Sequence, residues 1–344
     1  MSNYEELIRL GLTNAYQSAS RFELNLDTAR IVLFSDMHRG TGDRADDFRH
    51  SHDCYVNALK YYYSNNFSLY LLGDVEELWE ARVDEIITEY SEVLELERSF
   101  VTGGRLKRFF GNHDFDLADS EHSAYAQIAS FLSDGSNSIM IEEASVASVV
   151  SDGTALGELF FVHGHQGTLD SDIYSGISRL FVKYVWRNIQ RLMGISLTAP
   201  SNNFELRARH EMAMFDWANE QSNLVLVTGH THHPVFMSTS EECHLKHQAD
   251  DLEAMKHEGD KKRIAMLYQR RRELVEEAKG FAFDVEREAK PCYFNTGCCS
   301  FSDGTITGLE VEDGFITLVR WSPSEERIVL RSPVAVKAIF ERCV

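Results

Sequence analysis

Five short apolar runs set the rhythm of the chain: 30–36 (RIVLFSD), 67–72 (FSLYLL), 106–110 (LKRFF), 158–162 (ELFFV) and 223–228 (NLVLVT). Each is only as long as a strand and gives way at once to polar residues or glycine, which predicts buried strands. Helical spacing lies between them over 52–65 and 84–100, where Ile86, Tyr90, Val93 and Leu94 recur at helical intervals. Strands alternating with helices predict an α/β fold, with further strands of hairpin type at 138–150, 305–321 and 327–332.

Two segments leave that rhythm. Residues 170–220 are apolar on one helical face (Ile177, Leu180, Phe181, Tyr184, Ile189, Leu192) and basic on another (Arg179, Lys183, Arg187, Arg191), which predicts a helical cap. Residues 240–290 are dense in charge and carry no strand signal. They predict a charged helical insertion, a hairpin broken at Gly259. Both are expected to lie within a single domain spanning 1–344.

The chemistry lies in the polar segments that follow the five runs. These are Asp36-Met37-His38-Arg39-Gly40, Gly73-Asp74, Gly111-Asn112-His113-Asp114, His163-Gly164-His165 and Gly229-His230-Thr231-His232-His233. In an α/β sheet the carboxyl ends of the strands converge on one crevice, so residues far apart in sequence can meet there. Residues i and i+2 of extended backbone point the same way, which aims Asp36 with His38, and His230 with His232. Imidazole and carboxylate donors suit manganese, iron or zinc better than magnesium or calcium, and the absence of thiolate argues against a structural zinc site. His244, His247 and His257 lack flanking apolar runs and read as ordinary surface residues.

Charge narrows the partners. Thirty-four basic against fifty-four acidic residues give a formal net charge of −20. Such a field repels polyanions and excludes general nucleic-acid binding, so a phosphorylated substrate must be drawn in by metal or by a confined basic patch. The six cysteines show neither CxxC pairs nor framework spacing, and the N-terminus (MSNYEELIRL) lacks a basic segment followed by an apolar run. Reduced thiols and a cytoplasmic location are therefore expected. No transmembrane segment is expected, peripheral membrane contact stays open, and nothing in the pattern fixes an oligomeric state.

In this order the blocks D-x-H, G-D, G-N-H-D, H and G-H-x-H resemble the calcineurin-like metallophosphoesterase superfamily, over roughly residues 30–300. The resemblance implies an α/β sandwich of two mixed β-sheets flanked by helices, and a site for two divalent metal ions. Asp36, His38, Asp74 and His232 would hold one ion; Asp74, Asn112, His163 and His230 would hold the other, with Asp74 bridging. His163 takes the place of the family's lone middle histidine, which leaves His165 either to support the ligands from behind or to bind substrate. Manganese is the first expectation, with iron or zinc as alternatives. Two cations about 3.5–4 Å apart clamp a phosphoryl group and lower the pKa of a bridging water, giving a hydroxide for in-line attack. His113 is implied as the catalytic acid at the leaving oxygen, oriented by Glu77 in preference to Asp114, while Asn112 also touches phosphate. Arg39, directly after His38, is expected to offer a guanidinium fork to phosphate oxygens.

Within the superfamily, GDVEELW at 73–79 and HGHQG at 163–167 most resemble blocks of the UDP-2,3-diacylglucosamine pyrophosphatases of lipid A synthesis, and that similarity includes a helical cap. Those enzymes usually carry arginine where this chain has His113, and they lack an insertion such as 240–290. The expectation is a metal-dependent hydrolase of a phosphomonoester, phosphodiester or pyrophosphate, on a small phosphorylated molecule or a lipid-linked one. A protein serine/threonine phosphatase is the alternative, although GDVEELW replaces the G-D-x-V-D-R-G block of those enzymes. A scaffold without catalysis ranks lower because every ligand position is filled, and a DNA nuclease ranks lower because of the charge. Cys298-Cys299, after Asn295-Thr296-Gly297, resembles the segment that closes the core sheet of the family and is expected to pack.

Overall fold

In a computed structural model of the chain, describing residues 3–133, 137–167, 204–255, 261–277, 280, 283–286, 289–324 and 326–344, the apolar runs become strands of two mixed sheets. The first has seven strands in the order β12 (Arg327–Ala335), β11 (Phe315–Trp321), β10 (Ile306–Glu312), β2 (Arg30–Phe34), β3 (Ser68–Leu72), β4 (Leu106–Phe109) and β5 (Ile141–Glu142). The second has five, in the order β1 (Ser20–Asn25), β6 (Ala144–Ser151), β7 (Thr154–Val162), β8 (Leu224–Thr228) and β9 (Tyr293–Asn295). β2, β3 and β4 run parallel, as do β7 and β8.

The runs are mainly apolar because both faces of these strands are largely covered. Ile31, Leu33, Tyr70 and Leu72 enter a core shared with the second sheet, where the Tyr70 ring meets that of Phe161 edge-on at 5.5 Å. Val32, Phe34, Leu69 and Leu71 enter a second cluster with helices α2 (His52–Ser64), α4 (Ser91–Val101) and α5 (Ser123–Leu132). On the second sheet Phe160 packs against Tyr16 of α1 (Asn3–Ser18) and Trp217 of α6 (Phe204–Glu220). Two mixed sheets flanked by helices are thus the architecture.

Several expectations shift in detail. The helix expected over 84–100 is two, α3 (Val83–Glu89) and α4, parted at Tyr90, whose hydroxyl donates to Asp46 Oδ2 at 2.6 Å. Residues 138–150 do not stay in one sheet: β5 ends the first and β6 belongs to the second. The hairpin there is β6–β7, turning at Asp152-Gly153 with φ of 48° and 72°. The β10–β11 hairpin turns likewise at Asp313-Gly314, with φ of 51° and 82°. Asp-Gly with both residues left-handed is the turn that matches strand twist.

Residues 168–203 are not among those described, and with them lie most of the cap expected at 170–220 and its whole basic stripe. The described remainder, α6, buries His210, Glu211, Met214 and Trp217 and packs along α1. In the region 240–290, α7 (Glu241–Met255) and α8 (Lys261–Glu277) pack on each other, and Gly259 lies outside the described residues. Among the described residues no helix is long and apolar enough to cross a membrane.

Candidate metal centre

The five polar segments leave the carboxyl ends of β2, β3, β4, β7 and β8 and meet where the two sheets adjoin. Backbone bonds lace them together: Asp36 N donates to Gly73 O at 3.1 Å, His38 N to Asp74 O at 3.0 Å, and Gly229 N to His163 O at 2.9 Å. The sheets are joined directly by His230 N, which donates to Asp36 Oδ2 at 3.0 Å.

Five residues of this meeting point have left-handed backbone: Asp36 (φ 56°), His38 (52°), Asp74 (50°), His230 (70°) and His232 (55°). Non-glycine residues enter that region at a cost, and they cluster where function over-determines the backbone. Glycine supplies the clearance around them. A Cβ on Gly111 would overlap Asp74 Oδ1 and His163, and one on Gly229 would overlap Ser35 and Asp36.

Two groups of donors result. In the first, His232 Nε2 lies 3.1 Å from Asp36 Oδ1 and 3.0 Å from His38 Nε2. In the second, His163 Nε2 lies 3.0 Å from Asp74 Oδ2, with His230 completing the group. Asp74 Oδ2 is also 3.9 Å from His38 Nε2, so this carboxylate stands between the two. His163 Nδ1 donates to Leu72 O at 2.7 Å, which turns its other nitrogen toward Asp74.

The residues fit metal ligation. Asn112 Oδ1 and His230 Nε2 are buried without a hydrogen-bond partner among the described residues. Buried polar atoms are rarely left unpaired without a reason. Two imidazole nitrogens, His38 Nε2 and His232 Nε2, face each other beside a carboxylate, a donor set that suits manganese, iron or zinc. Burial would raise the Asp74 carboxyl, but His163 and His113 outweigh it and hold it well below the usual range. Burial beside His210 and His163 drives His230 well below the ordinary imidazole value, into the neutral form that can ligate.

His113 stands at the rim of this centre. Its Nδ1 is 2.6 Å from Glu77 Oε2, and its ring stacks on Trp79 at 4.0 Å and 22°. Burial opposes its charge, yet Glu77 and Asp74 prevail and push it up to about 9. Glu77, which also reaches His38 Nδ1 at 3.2 Å, is raised by burial but brought down to about 2 by His113. Asp114 points elsewhere: it accepts from the backbone N–H of Gly111 at 2.6 Å and of Val75 at 2.9 Å, tying two loops together.

Arg39 departs from expectation. It offers no fork to a phosphate, because its guanidinium is fully buried and bonded to Glu97 at 2.8 Å and Glu76 at 2.9 Å. Arg108 closes the same cluster through Glu76, and Tyr55 donates to Glu97 at 3.0 Å. An arginine deep in the interior needs such partners, whereas a substrate-binding one must reach solvent. His165 does not reach out to substrate either: it is buried behind the centre, its ring 5.4 Å from that of His163, and burial lowers it to about 3.

Sequence reasoning missed the support of the last loop. Glu211 of α6 accepts from Thr231 Oγ1 at 2.9 Å and pairs with His233 Nδ1 at 3.0 Å, while His233 Nε2 reaches Glu242 of α7 at 3.2 Å. Asn295 Nδ2 donates to Gly229 O at 2.6 Å and to Thr231 Oγ1 at 3.1 Å. Thr231 is thereby held between the two left-handed histidines. His210 Nε2 donates to Gly164 O at 2.7 Å, and its ring lies 5.0 Å from that of His230. Apart from His233, beside the motif itself, no local signal marks these residues, since glutamate and histidine inside a helix resemble surface residues. Cys298 and Cys299 are buried where packing was expected.

No family model matches this chain, and no curated protein sequence matches it. A solved structure of a conserved uncharacterized protein from Streptococcus pneumoniae TIGR4, titled a predicted phosphoesterase, is similar at 12% sequence identity with a TM-score of 0.31, covering 88% of this chain and 98% of that one.

Proposed function

We propose that the protein is a dinuclear metal-dependent phosphoester hydrolase. The observation that carries this reading is the convergence of Asp36, His38, Asp74, His163, His230 and His232 from separate loops, most of them in strained backbone, around unpaired donor atoms. Asp36, His38, Asp74 and His232 would hold one cation; Asp74, Asn112, His163 and His230 the other. When bound, such a pair neutralises phosphoryl charge and activates water at neutral pH.

The chain's own residues supply the rest. His113 holds a proton because Glu77 binds its Nδ1, which leaves Nε2 to deliver a proton to the departing oxygen. Trp79 fixes the ring plane and shields one face of His113 from water. Buried His165 and His210 back the histidine loops and stay neutral. The substrate is a phosphomonoester, a phosphodiester or a pyrophosphate: the resemblance of GDVEELW points toward a lipid-linked pyrophosphate, His113 in place of arginine points away from it, and the choice is left to the assay.

The test is hydrolysis by manganese-loaded protein of p-nitrophenyl phosphate, bis-p-nitrophenyl phosphate and a UDP-linked diacyl sugar, side by side. Preference for the last assigns a lipid-linked substrate; activity confined to the small esters assigns soluble phosphates. Absence of turnover on all three, with metal bound, overturns the reading. His113→Asn should lower the rate about 10²–10⁴-fold on poor leaving groups and much less on p-nitrophenolate, with metal content unchanged.

A further inference from the structure

Helix α7 places Cys243 and His247 one turn apart on the same face, and the segment beyond α8 brings Asp284 beside them. One donor atom of each lies within 4.8 Å of the other two. None of the three belongs to the centre at the strand ends. Cys243 Sγ is 3.6 Å from His247 Nε2. A tetrahedral zinc ion, with sulfur at about 2.3 Å and nitrogen at about 2.0–2.1 Å, sets these atoms about 3.6 Å apart.

Asp284 is oriented for the same purpose. Its Oδ2 takes Lys246 Nζ at 2.9 Å and Arg271 Nη2 at 3.5 Å, Oδ1 is buried, and the Cys243 thiol donates to this carboxylate, the bond whose proton a metal ion would replace. Metal-binding carboxylates are held by outer hydrogen bonds in this manner. The two cationic side chains also oppose a further positive charge, so the site should bind more weakly than an all-cysteine one.

We propose that Cys243, His247 and Asp284 form a separate cation site for a thiophilic divalent ion of the zinc class, with a fourth position for water. Binding exchanges the thiol proton for the metal, the proton passing to solvent, and no electron is transferred. The same trio does not suit a cysteine nucleophile. Cys243 is only 1% exposed, and burial pushes its thiol up to about 12. Cys243 adjoins Glu242, so an ion here fastens the root of α7 to the 283–286 segment, where Phe283 enters the core. This site stands independently of the proposed hydrolysis.

Cobalt(II) titrated into the metal-stripped full chain is the probe, because thiolate ligation produces an intense near-ultraviolet sulfur-to-cobalt band and the donors at the strand ends include no sulfur. The band is expected in the wild type and in Cys298→Ser, and is expected to vanish in Cys243→Ser. In His247→Gln its midpoint should move about tenfold or more toward higher cobalt. Bound zinc should fall by one ion per chain in Cys243→Ser while hydrolysis persists. A wild type without the band, or a band that survives Cys243→Ser, overturns the proposal; loss in Cys298→Ser instead would assign the sulfur to the strand-end centre. If Cys243→Ser does not fold, His247→Gln carries the test, and an unchanged midpoint there is equally fatal.

Discussion

Replacing Arg39 with methionine separates the two roles open to an arginine beside a metal ligand. Arg39→Met removes a fully buried guanidinium and leaves Glu97, among the described residues, with the Tyr55 hydroxyl alone. Stripping one partner from a buried ion pair costs about 3–5 kcal/mol. At about 2.1 cal/mol/K per residue, 344 residues give an unfolding entropy of about 0.7 kcal/mol/K, so Tm should fall by about 4–7 °C. Arg39→Met/Glu97→Gln removes both charges and leaves Glu76 paired with Arg108, and should recover about half of the loss. Thermal unfolding at saturating metal reads the first effect, and steady-state kinetics on p-nitrophenyl phosphate reads the second. A guanidinium fork on phosphate contributes about 1.5–3 kcal/mol, so its loss would raise KM about 10–150-fold. Burial predicts a change in KM below about twofold. An unaltered Tm together with a tenfold rise in KM would refute the structural role.

Three further outcomes follow from the geometry. Gly111→Ala drives a methyl group into Asp74 Oδ1 and His163, so manganese affinity should drop about tenfold or more while circular dichroism is unchanged; full occupancy by elemental analysis would contradict the close approach. His233→Gln removes the imidazole that joins the last histidine loop to Glu211 and Glu242, and equilibrium dialysis should show manganese binding about 10–100-fold weaker, whereas unchanged affinity would show that the Thr231 bonds to Glu211 and Asn295 suffice to hold the loop. Burial raises the thiols of Cys54 and Cys343 to about 11 and that of Cys292 to about 12. Because these values exceed the unfolded value of about 8.5, the thiols favour the folded state below that pH, and the contribution disappears as pH rises toward 11–12. Thiol titration at pH 8 should accordingly find no fast cysteine in the native protein and six in denaturant; rapid native labelling of Cys54, Cys292 or Cys343 would contradict the burial.

What could be read from the sequence was what local order encodes. The strand runs ending in D-x-H, G-D, G-N-H-D, H and G-H-x-H stood out because a parallel strand buried on both faces is apolar to its last residue and then turns polar abruptly. Glu77 was within reach of sequence reasoning because it shares a loop with Asp74. Arg39 was not, since its burial depends on Glu97, 58 residues further on in helix α4. Glu211 and Glu242 escaped for the same reason, and so did the break at Tyr90, whose side chain is tied to Asp46 in a distant loop that no helical periodicity reveals. The split of 138–150 between sheets was likewise a matter of tertiary pairing, although Asp152-Gly153 did mark where the true hairpin turns.

The centre hangs from two separate sheets. Asp36, His38, Asp74 and Asn112 follow strands of one, and His163, His230 and His232 follow strands of the other. Cations held there, as proposed, would act as rivets through the sandwich, resisting any slide of one sheet over its neighbour. Linkage makes that resistance reciprocal. Whatever presses the sheets out of register, a ligand between them or a pull on α7 through Glu242 and His233, must weaken metal binding by the same factor by which metal stiffens the sandwich, so loss of the ions becomes a gauge of strain imposed far from the loops that hold them.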